Sequence, residues 1–202
     1  LQVVRAANNG TFNAIANTQG TATQVANKDA FQYSLLPSGI SNAYGAFMAR
    51  YPGALGSSLT VSVIDAGSTT TQFNSWNIAL YNTAGSNFAN VALAGFFNGL
   101  PGTSYNTQQV GGANDQIHIA VVDTGGLISG AKGTVLETFP YLSKASDSVD
   151  STGQSNYYKN AIFNNSRYIY AVDPVNYVAT NGTWGKTSAN TSFTTLSGTY
   201  TL

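Results

Sequence analysis

The sequence predicts a mainly β protein with a few short helices, built as a two-layer antiparallel or mixed β-sandwich flanked by small helices. Leu59–Ile64 alternates strictly between apolar and polar residues, which is typical of a strand. Residues 116–123 and 133–139 form a second pair of strand-like runs, joined by a glycine-rich connection of hairpin length. No helix–strand alternation of the length that a doubly wound sheet needs is visible.

The first 50 residues contain few regular signals. Leu1–Arg5 favours a short strand, and residues 7–40 are polar and irregular. Within them, residues 30–36 favour a strand that stops at a proline. Residues 41–48 favour one or two helical turns, capped by a serine and ended before Pro52, because proline pushes the preceding residue out of the helical region.

The middle of the chain alternates between loops and apolar runs. Residues 65–75 predict a loop rich in Thr, Ser and Gly, and residues 76–81 predict a strand. Residues 89–97 fit either a helix or a strand, and we favour a helix. Residues 100–114 predict a long loop rich in Gly, Thr and Gln.

The last third predicts a helix between strands. Residues 156–164 favour a helix capped by Ser155, with Tyr158, Ala161 and Ile162 on one side. A strand over 168–172 stops at an Asp-Pro pair, and the final strand is the Thr-rich run 198–202.

Charge is scarce in this chain. Only 8% of its residues are charged, against about 25% in an average soluble domain. Lys+Arg and Asp+Glu are both 8, so no excess charge points to nucleic acid or to an anionic membrane surface. Near-zero net charge weakens repulsion between copies and favours self-association, although a loop-rich β domain accounts for the composition equally well.

Composition also limits the covalent links and membrane anchors to consider. The chain has no cysteine, which excludes disulfides and thiolate metal sites. It has neither an apolar run of about 18 residues nor a signal peptide, so we expect no membrane insertion. It begins at Leu1 inside a strand-like run and ends inside another, so we expect it to be part of a longer protein.

The residues suited to catalysis are few and scattered. His118 is the only histidine and lies inside a strand-like run, where a ligand or catalytic role would need further partners. Asp65, Asp123 and Asp173 each end a strand. They could converge at one edge of the sheet, but we favour the interpretation that they are turn formers. The other acids are Asp29, Asp115, Glu137, Asp147 and Asp150. We therefore predict no enzyme activity, no catalytic, cofactor-binding or metal-binding residue, and no cofactor.

Two local patterns resemble ligand-binding loops but lack their spacing. Gly125-Gly126 and Gly130–Thr134 have the wrong order for a phosphate-binding loop, and a hairpin turn explains these glycines better. Asp147–Asp150 lacks the ligand spacing and terminal Glu of a calcium loop.

Aromatic residues offer one candidate contact surface. Five tyrosines cluster within one third of the chain: Tyr157, Tyr158, Tyr168, Tyr170 and Tyr177. They are expected either to form a protein-binding or sugar-binding face or to pack at sheet edges and helix contacts.

Three separated segments carry a family resemblance. They are Leu1–Arg5, the Tyr-Pro-Gly-x-x-Gly-x-Ser-Leu pattern within 49–59, and the block 117–173 that includes Gly133-Thr-Val-Leu-Glu137. In this order the chain resembles the outer-domain portion of the tail sheath protein of contractile, myovirus-type (T-even-like) phages. The resemblance implies one outer domain over 1–202, with 7–40 as a reduced insertion, and the inner tube-facing domain absent.

The resemblance also implies a function and partners. Sheath subunits stack in rings around the tail tube and rearrange on contraction, which drives the tube through the host envelope for genome ejection. The partners would be copies of the same chain and, through the missing inner domain, tube, baseplate and neck proteins. The protein would lie in the virion tail after assembly in the host cytoplasm, and the residues of its intersubunit contacts stay unassigned.

Two other classes compete with this interpretation. A carbohydrate-binding or adhesion module of a phage fibre or capsid decoration protein would share the low charge and the surface rich in Tyr, Asn, Ser and Gly. A glycan-cleaving enzyme would need two carboxylates roughly 5–10 Å apart, and nothing in the sequence pairs two acids.

Overall fold

The computed structural model describes residues 12–15, 18–20, 25, 27–35, 46–172 and 182–202. In chain order the strands are β1 (Phe12–Ile15), β2 (Thr18–Gly20), β3 (Phe47–Ala49), β4 (Leu59–Asp65), β5 (Asn77–Tyr81), β6 (Asn87–Ala92), β7 (Gln116–Asp123), β8 (Thr134–Ser143), β9 (Ile169–Ala171) and β10 (Gly198–Thr201). The helices are α1 (Lys28–Ala30), α2 (Ala54–Ser57), α3 (Thr70–Asn74), α4 (Tyr105–Gln109) and α5 (Tyr158–Asn165). A π-helical turn over Phe31–Leu35 follows α1, and a 3₁₀ turn covers Ala94–Phe96. The class predicted from the sequence, mainly β with a few short helices, is confirmed.

A four-stranded antiparallel sheet in the order β10-β4-β7-β8 organises the fold. The register between β4 and β7 places Leu59 opposite Asp123 and Asp65 opposite Ile117. Three two-stranded antiparallel ribbons accompany this sheet, namely β1–β2, β3–β9 and β5–β6. The strands predicted over 59–64, 76–81, 116–123, 133–139, 168–172 and 198–202 all lie in these sheets.

Both faces of the central sheet are covered. On one face, alternate residues of β4 and β7 pack against α5, the β3–β9 ribbon and Trp184. On the other face, Ile64, Ala120 and Val122 pack against α3, β5 and the segment after β6. All seven residues of β4 are therefore buried, including the polar ones.

The polar residues of β4 are satisfied inside the protein. Thr60 shares a hydrogen bond with Thr124 at 2.8 Å. Ser62 accepts one from the indole N–H of Trp76 at 2.8 Å and shares another with Thr199. Because buried hydroxyl groups are costly only when they are unpaired, an alternating strand can lie at the centre of the sheet.

Two predictions of local structure are wrong. Residues 89–92 belong to strand β6 and not to a helix, because the turn at Asn82 folds this segment back onto β5. Most of 30–36 is helical and not a strand. Asn27 caps the first turn by accepting a hydrogen bond from the Ala30 N–H at 2.7 Å, and Phe31 stacks on Tyr170 with ring centroids 4.2 Å apart.

Further corrections concern short helices and their ends. The predicted helix over 41–48 is wrong at Phe47 and Met48, which pair with β9 as a strand, and 41–45 lie outside the described residues. The predicted loops contain α3 and α4, each with a side-chain N-cap, Thr69 and Ser104. Helix α5 starts later than predicted, after Tyr157 rather than Ser155. Its predicted buried side, Tyr158, Ala161 and Ile162, is confirmed.

Other predicted features fall where no structure is described. These are the strand over Leu1–Arg5 and the residues Asp173 and Tyr177. Among the residues that are described, no helix combines the length and apolar character needed to cross a bilayer.

Candidate functional site

The most unusual polar contact of the protein is a buried ion pair between Lys144 and Asp65. Asp65 is the last residue of β4, and Lys144 directly follows β8, so β7 lies between the two strands that carry them. The Lys144 Nζ lies 2.6 Å from Asp65 Oδ1, and both side chains are completely buried. A buried pair of this kind is costly to desolvate and depends on good geometry.

The C-terminal segment closes over this pair. Lys144 Nζ also donates to the Thr194 carbonyl at 3.2 Å, and the Leu196 N–H donates to Asp65 Oδ2 at 3.0 Å. The Trp184 indole donates to the same Thr194 carbonyl, and its ring lies 5.2 Å from the ammonium nitrogen. The pair therefore anchors the segment that leads into β10.

Burial shifts both groups of the pair toward their neutral forms. Loss of water raises the pKa of Asp65, and the charge and hydrogen bond of Lys144 oppose that rise. Loss of water likewise lowers the pKa of Lys144, against the attraction of Asp65 and a smaller one of Asp115. The structure thus brings an amine and a carboxyl group together in a site without solvent.

Asp115 is a second buried acid beside this pair. Its carboxylate accepts hydrogen bonds from the Ser104 N–H at 2.7 Å, from the Ser104 hydroxyl at 2.8 Å and from the Ser143 hydroxyl at 2.7 Å. Ser104 is the N-cap of α4, so Asp115 holds the start of that helix against the end of β8. Its role is structural.

Asp123 forms the turn after β7, as its position predicts. Its carboxylate accepts from the N–H groups of Gly126, Ile128 and Ser129 at 2.7–2.9 Å and from the hydroxyls of Ser58 and Ser129. Burial alone raises the pKa of Asp123, but the hydrogen bonds outweigh it and lower the pKa to about 2.

The strand-terminal aspartates do not form one site. Because β4 and β7 are antiparallel, Asp65 and Asp123 lie at opposite ends of the sheet. Asp65 also closes a local turn, since its carbonyl accepts from the Ser68 N–H. Its pairing with Lys144 has no local sequence signal beyond one lysine placed directly after an apolar strand.

His118 is a core residue whose two ring nitrogens both make hydrogen bonds to the backbone. Nε2 lies 2.8 Å from the Gly99 carbonyl, and Nδ1 accepts from the Tyr141 N–H at 2.9 Å. This arrangement requires the neutral tautomer with the proton on Nε2. Burial lowers the pKa of His118, and its ring stacks on Phe97 at 4.6 Å. Neither nitrogen is available to a metal or a substrate.

Three further acids, Glu137, Asp147 and Asp150, bind nearby groups of the protein. Glu137 accepts from the Ser166 hydroxyl and the Arg167 N–H, and Asp147 accepts from the N–H and hydroxyl of Ser188. Asp150 closes its own turn through Thr152. In the described ranges, no three His, Cys, Asp or Glu side chains come together as a metal site would require.

The glycines between β7 and β8 form turns, which agrees with the turn interpretation. Gly126, Gly130 and Gly133 have φ values of 77°, 85° and 86°, in the region that favours glycine. At Gly133 a Cβ atom would also lie 2.7 Å from a methyl carbon of Leu80, so this glycine lets the β5–β6 ribbon approach β8.

The four tyrosines of this cluster that the structure describes do not form an exposed face. Tyr158 and Tyr170 are buried, and Tyr158 packs edge-on against Trp184 at 5.3 Å. Tyr157 and Tyr168 are half-buried. The packing alternative is therefore the correct one for these four residues.

Exposed aromatic side chains occur elsewhere. Tyr81 and Phe88 project from the β5–β6 ribbon with 56% and 54% of their surface exposed, and Tyr105 on α4 is 73% exposed. A groove of about 510 Å³ between this ribbon and the central sheet is lined by Thr60, Tyr81, Thr124, Lys132, Thr199, Thr201 and neighbouring residues. Apart from Lys132, its polar lining is uncharged.

No protein-family model matches this chain, and no curated protein matches it significantly.

Proposed function

We propose that this chain is the outer-domain portion of a contractile phage tail sheath subunit. It would polymerise with copies of itself in stacked rings around the tail tube and rearrange on contraction, so that the tube crosses the host envelope for genome ejection. Its role would be structural and not enzymatic, and its location the tail of the virion. Contacts with tube, baseplate and neck proteins would come from an inner domain.

The observation that carries the proposal is the position of the residues behind the resemblance. The Tyr-Pro-Gly-x-x-Gly-x-Ser-Leu pattern ends at Leu59, the first residue of β4. Gly56 in this pattern is buried, and a Cβ there would collide with the Tyr51 carbonyl oxygen. The block from residue 117 supplies β7 and β8, the next strands of the same sheet. Two of the three segments behind the resemblance thus contribute neighbouring strands of one sheet.

Two surface properties support a role in assembly. The chain has a formal net charge of zero, and aromatic side chains such as Tyr81, Phe88 and Tyr105 are exposed. Aromatic residues are enriched at protein interfaces, whereas charged residues are depleted from interface cores. The buried charged groups, in contrast, bind other groups of the same chain.

The test is electron microscopy of the full-length protein that contains this chain. We expect tubes or stacked rings of regular helical symmetry. Variants in which exposed neutral residues are replaced by acids should dissociate, because the added negative charges on neighbouring subunits repel each other. A protein that stays monomeric at every concentration and salt condition would contradict the proposal.

The groove, whose polar lining is uncharged apart from Lys132, favours one alternative, a carbohydrate-binding module. Hydroxyl side chains beside the exposed ring of Tyr81 suit a sugar, whose hydroxyls need hydrogen-bond partners. On a glycan array this alternative predicts binding that Tyr81→Ala abolishes and Tyr105→Ala preserves, since Tyr105 does not line the groove. Tube formation without glycan binding would exclude it.

A further inference from the structure

We propose that Lys144 and Asp65 condense into an intramolecular isopeptide bond, which joins Lys144 Nζ to Asp65 Cγ. The amine nitrogen lies 2.6 Å from Oδ1. Since Oδ1 is bonded to Cγ, the nitrogen is no more than about 3.8 Å from the carbon it would attack. That separation approaches the distance at which bound reactants are poised to react.

A backbone donor lies where charge would develop during the attack. The Leu196 N–H donates to Asp65 Oδ2 at 3.0 Å. When the amine adds to Cγ, negative charge concentrates on Oδ2. A fixed N–H group at this oxygen stabilises such an intermediate, as a donor of the oxyanion hole does in acyl-transfer enzymes.

The surroundings favour the reactive forms of both groups. Neither side chain is exposed to solvent, and an amine must lose a proton before it acts as a nucleophile. Burial raises the pKa of Asp65 and lowers that of Lys144, so proton transfer from Nζ to Oδ1 yields an amine next to a neutral carboxylic acid. The absence of water also favours amide formation over hydrolysis.

The reaction balances within the pair. The ammonium gives one proton to Oδ1, and the nitrogen lone pair forms the new bond to Cγ. The C–Oδ1 bond then breaks, the leaving hydroxyl takes a second proton from nitrogen, and one water molecule departs. One hydrogen remains on the amide nitrogen. The step involves no oxidation or reduction and needs no co-reactant.

The bond would join the ends of two strands, β4 and β8, that are not neighbours in the sheet. Asp65 ends β4 and Lys144 follows β8, with β7 between them. A covalent bridge across β7 would fix three strands at one end of the sheet and close a loop that spans 79 positions of sequence. This inference concerns the chain alone and does not rest on the proposed function.

The test is the mass of the purified, denatured chain. We expect most molecules to be lighter than the sequence by one water molecule. Trypsin cleaves after Arg50, Lys132 and Lys159. It should therefore release residues 51–132 covalently joined to 133–159, without cleavage after Lys144. This peptide distinguishes the bond from dehydration of an aspartate, which leaves Lys144 cleavable.

Three variants complete the experiment. Lys144→Arg keeps the charge but has no reactive amine, and Asp65→Ala removes the acid, so both should show the full mass. Lys132→Arg, at an exposed lysine, should keep the loss of one water. An unmodified mass for the folded wild-type chain would overturn the inference and leave an ordinary ion pair. Because the wild-type mass alone decides this, a variant that fails to fold does not obscure the result.

Discussion

Replacing Lys144 by methionine is expected to destabilise the folded protein by about 3–5 kcal/mol. The substitution keeps most of the side-chain volume but leaves the acid of Asp65 in a site with no solvent exposure. It also removes the donor to the Thr194 carbonyl, which helps to hold the C-terminal segment on the sheet. The loss should appear as a lower urea midpoint at neutral pH.

The exposed Lys132 provides the matched control. Its side chain is in solvent, 6.0 Å from the Phe88 ring, so Lys132→Met should change the free energy of unfolding by no more than about 0.5 kcal/mol. The double variant Lys144→Met/Asp65→Leu should recover part of the loss of the single variant, because it removes the unpaired buried acid. Equal stability of Lys144→Met and wild type would show that the pair contributes nothing to folding.

Replacing Asp123 by asparagine is expected to cost about 2–4 kcal/mol. The carboxylate accepts from three backbone N–H groups and two hydroxyls of the turn between β7 and β8. An amide of the same shape loses the charge and turns an NH₂ group toward donors, so at least one buried N–H loses its acceptor. Urea unfolding at neutral pH measures the loss.

The same residue predicts a pH dependence. Its folded-state pKa is about 2, below the ordinary value of 3.8, so its contribution is complete above pH 3.8 and disappears as the pH falls toward about 2. Over this interval the stability of Asp123→Asn should fall less steeply than that of wild type.

The control for this pH dependence is Asp29→Asn, which removes an exposed acid. Its stability should follow the wild-type curve over the same interval. Parallel curves for Asp123→Asn and wild type would contradict the assignment of a depressed pKa to Asp123.

The local sequence was sufficient to predict a structural element wherever that element depends mainly on its own residues. The alternation of Leu59–Ile64 predicted β4, and the spacing of Tyr158, Ala161 and Ile162 predicted the buried side of α5. The turn role of Asp123 and of the glycines before β8 was likewise visible, because side-chain acceptors and positive φ values have local signatures. The capping box formed by Thr69 and Gln72 is a local signal that indicates the start of α3 within the predicted loop.

Elements fixed by distant partners were predicted less well. Residues 89–92 are compatible with a helix, and only their pairing with β5 makes them a strand. Phe47 and Met48 became a strand because β9, more than 100 residues later, pairs with them. In such ambiguous segments tertiary contacts outweigh the small differences in local propensity.

The sequence by itself determined the mainly β class, the central strands and the lack of excess charge. Only the tertiary structure decided that Tyr158 and Tyr170 are buried and Tyr157 and Tyr168 half-buried, and that Lys144 meets Asp65. Those two residues are 79 positions apart, and their contact depends on the registers of β4, β7 and β8 together. Register follows from packing across the whole sheet, which no local pattern encodes.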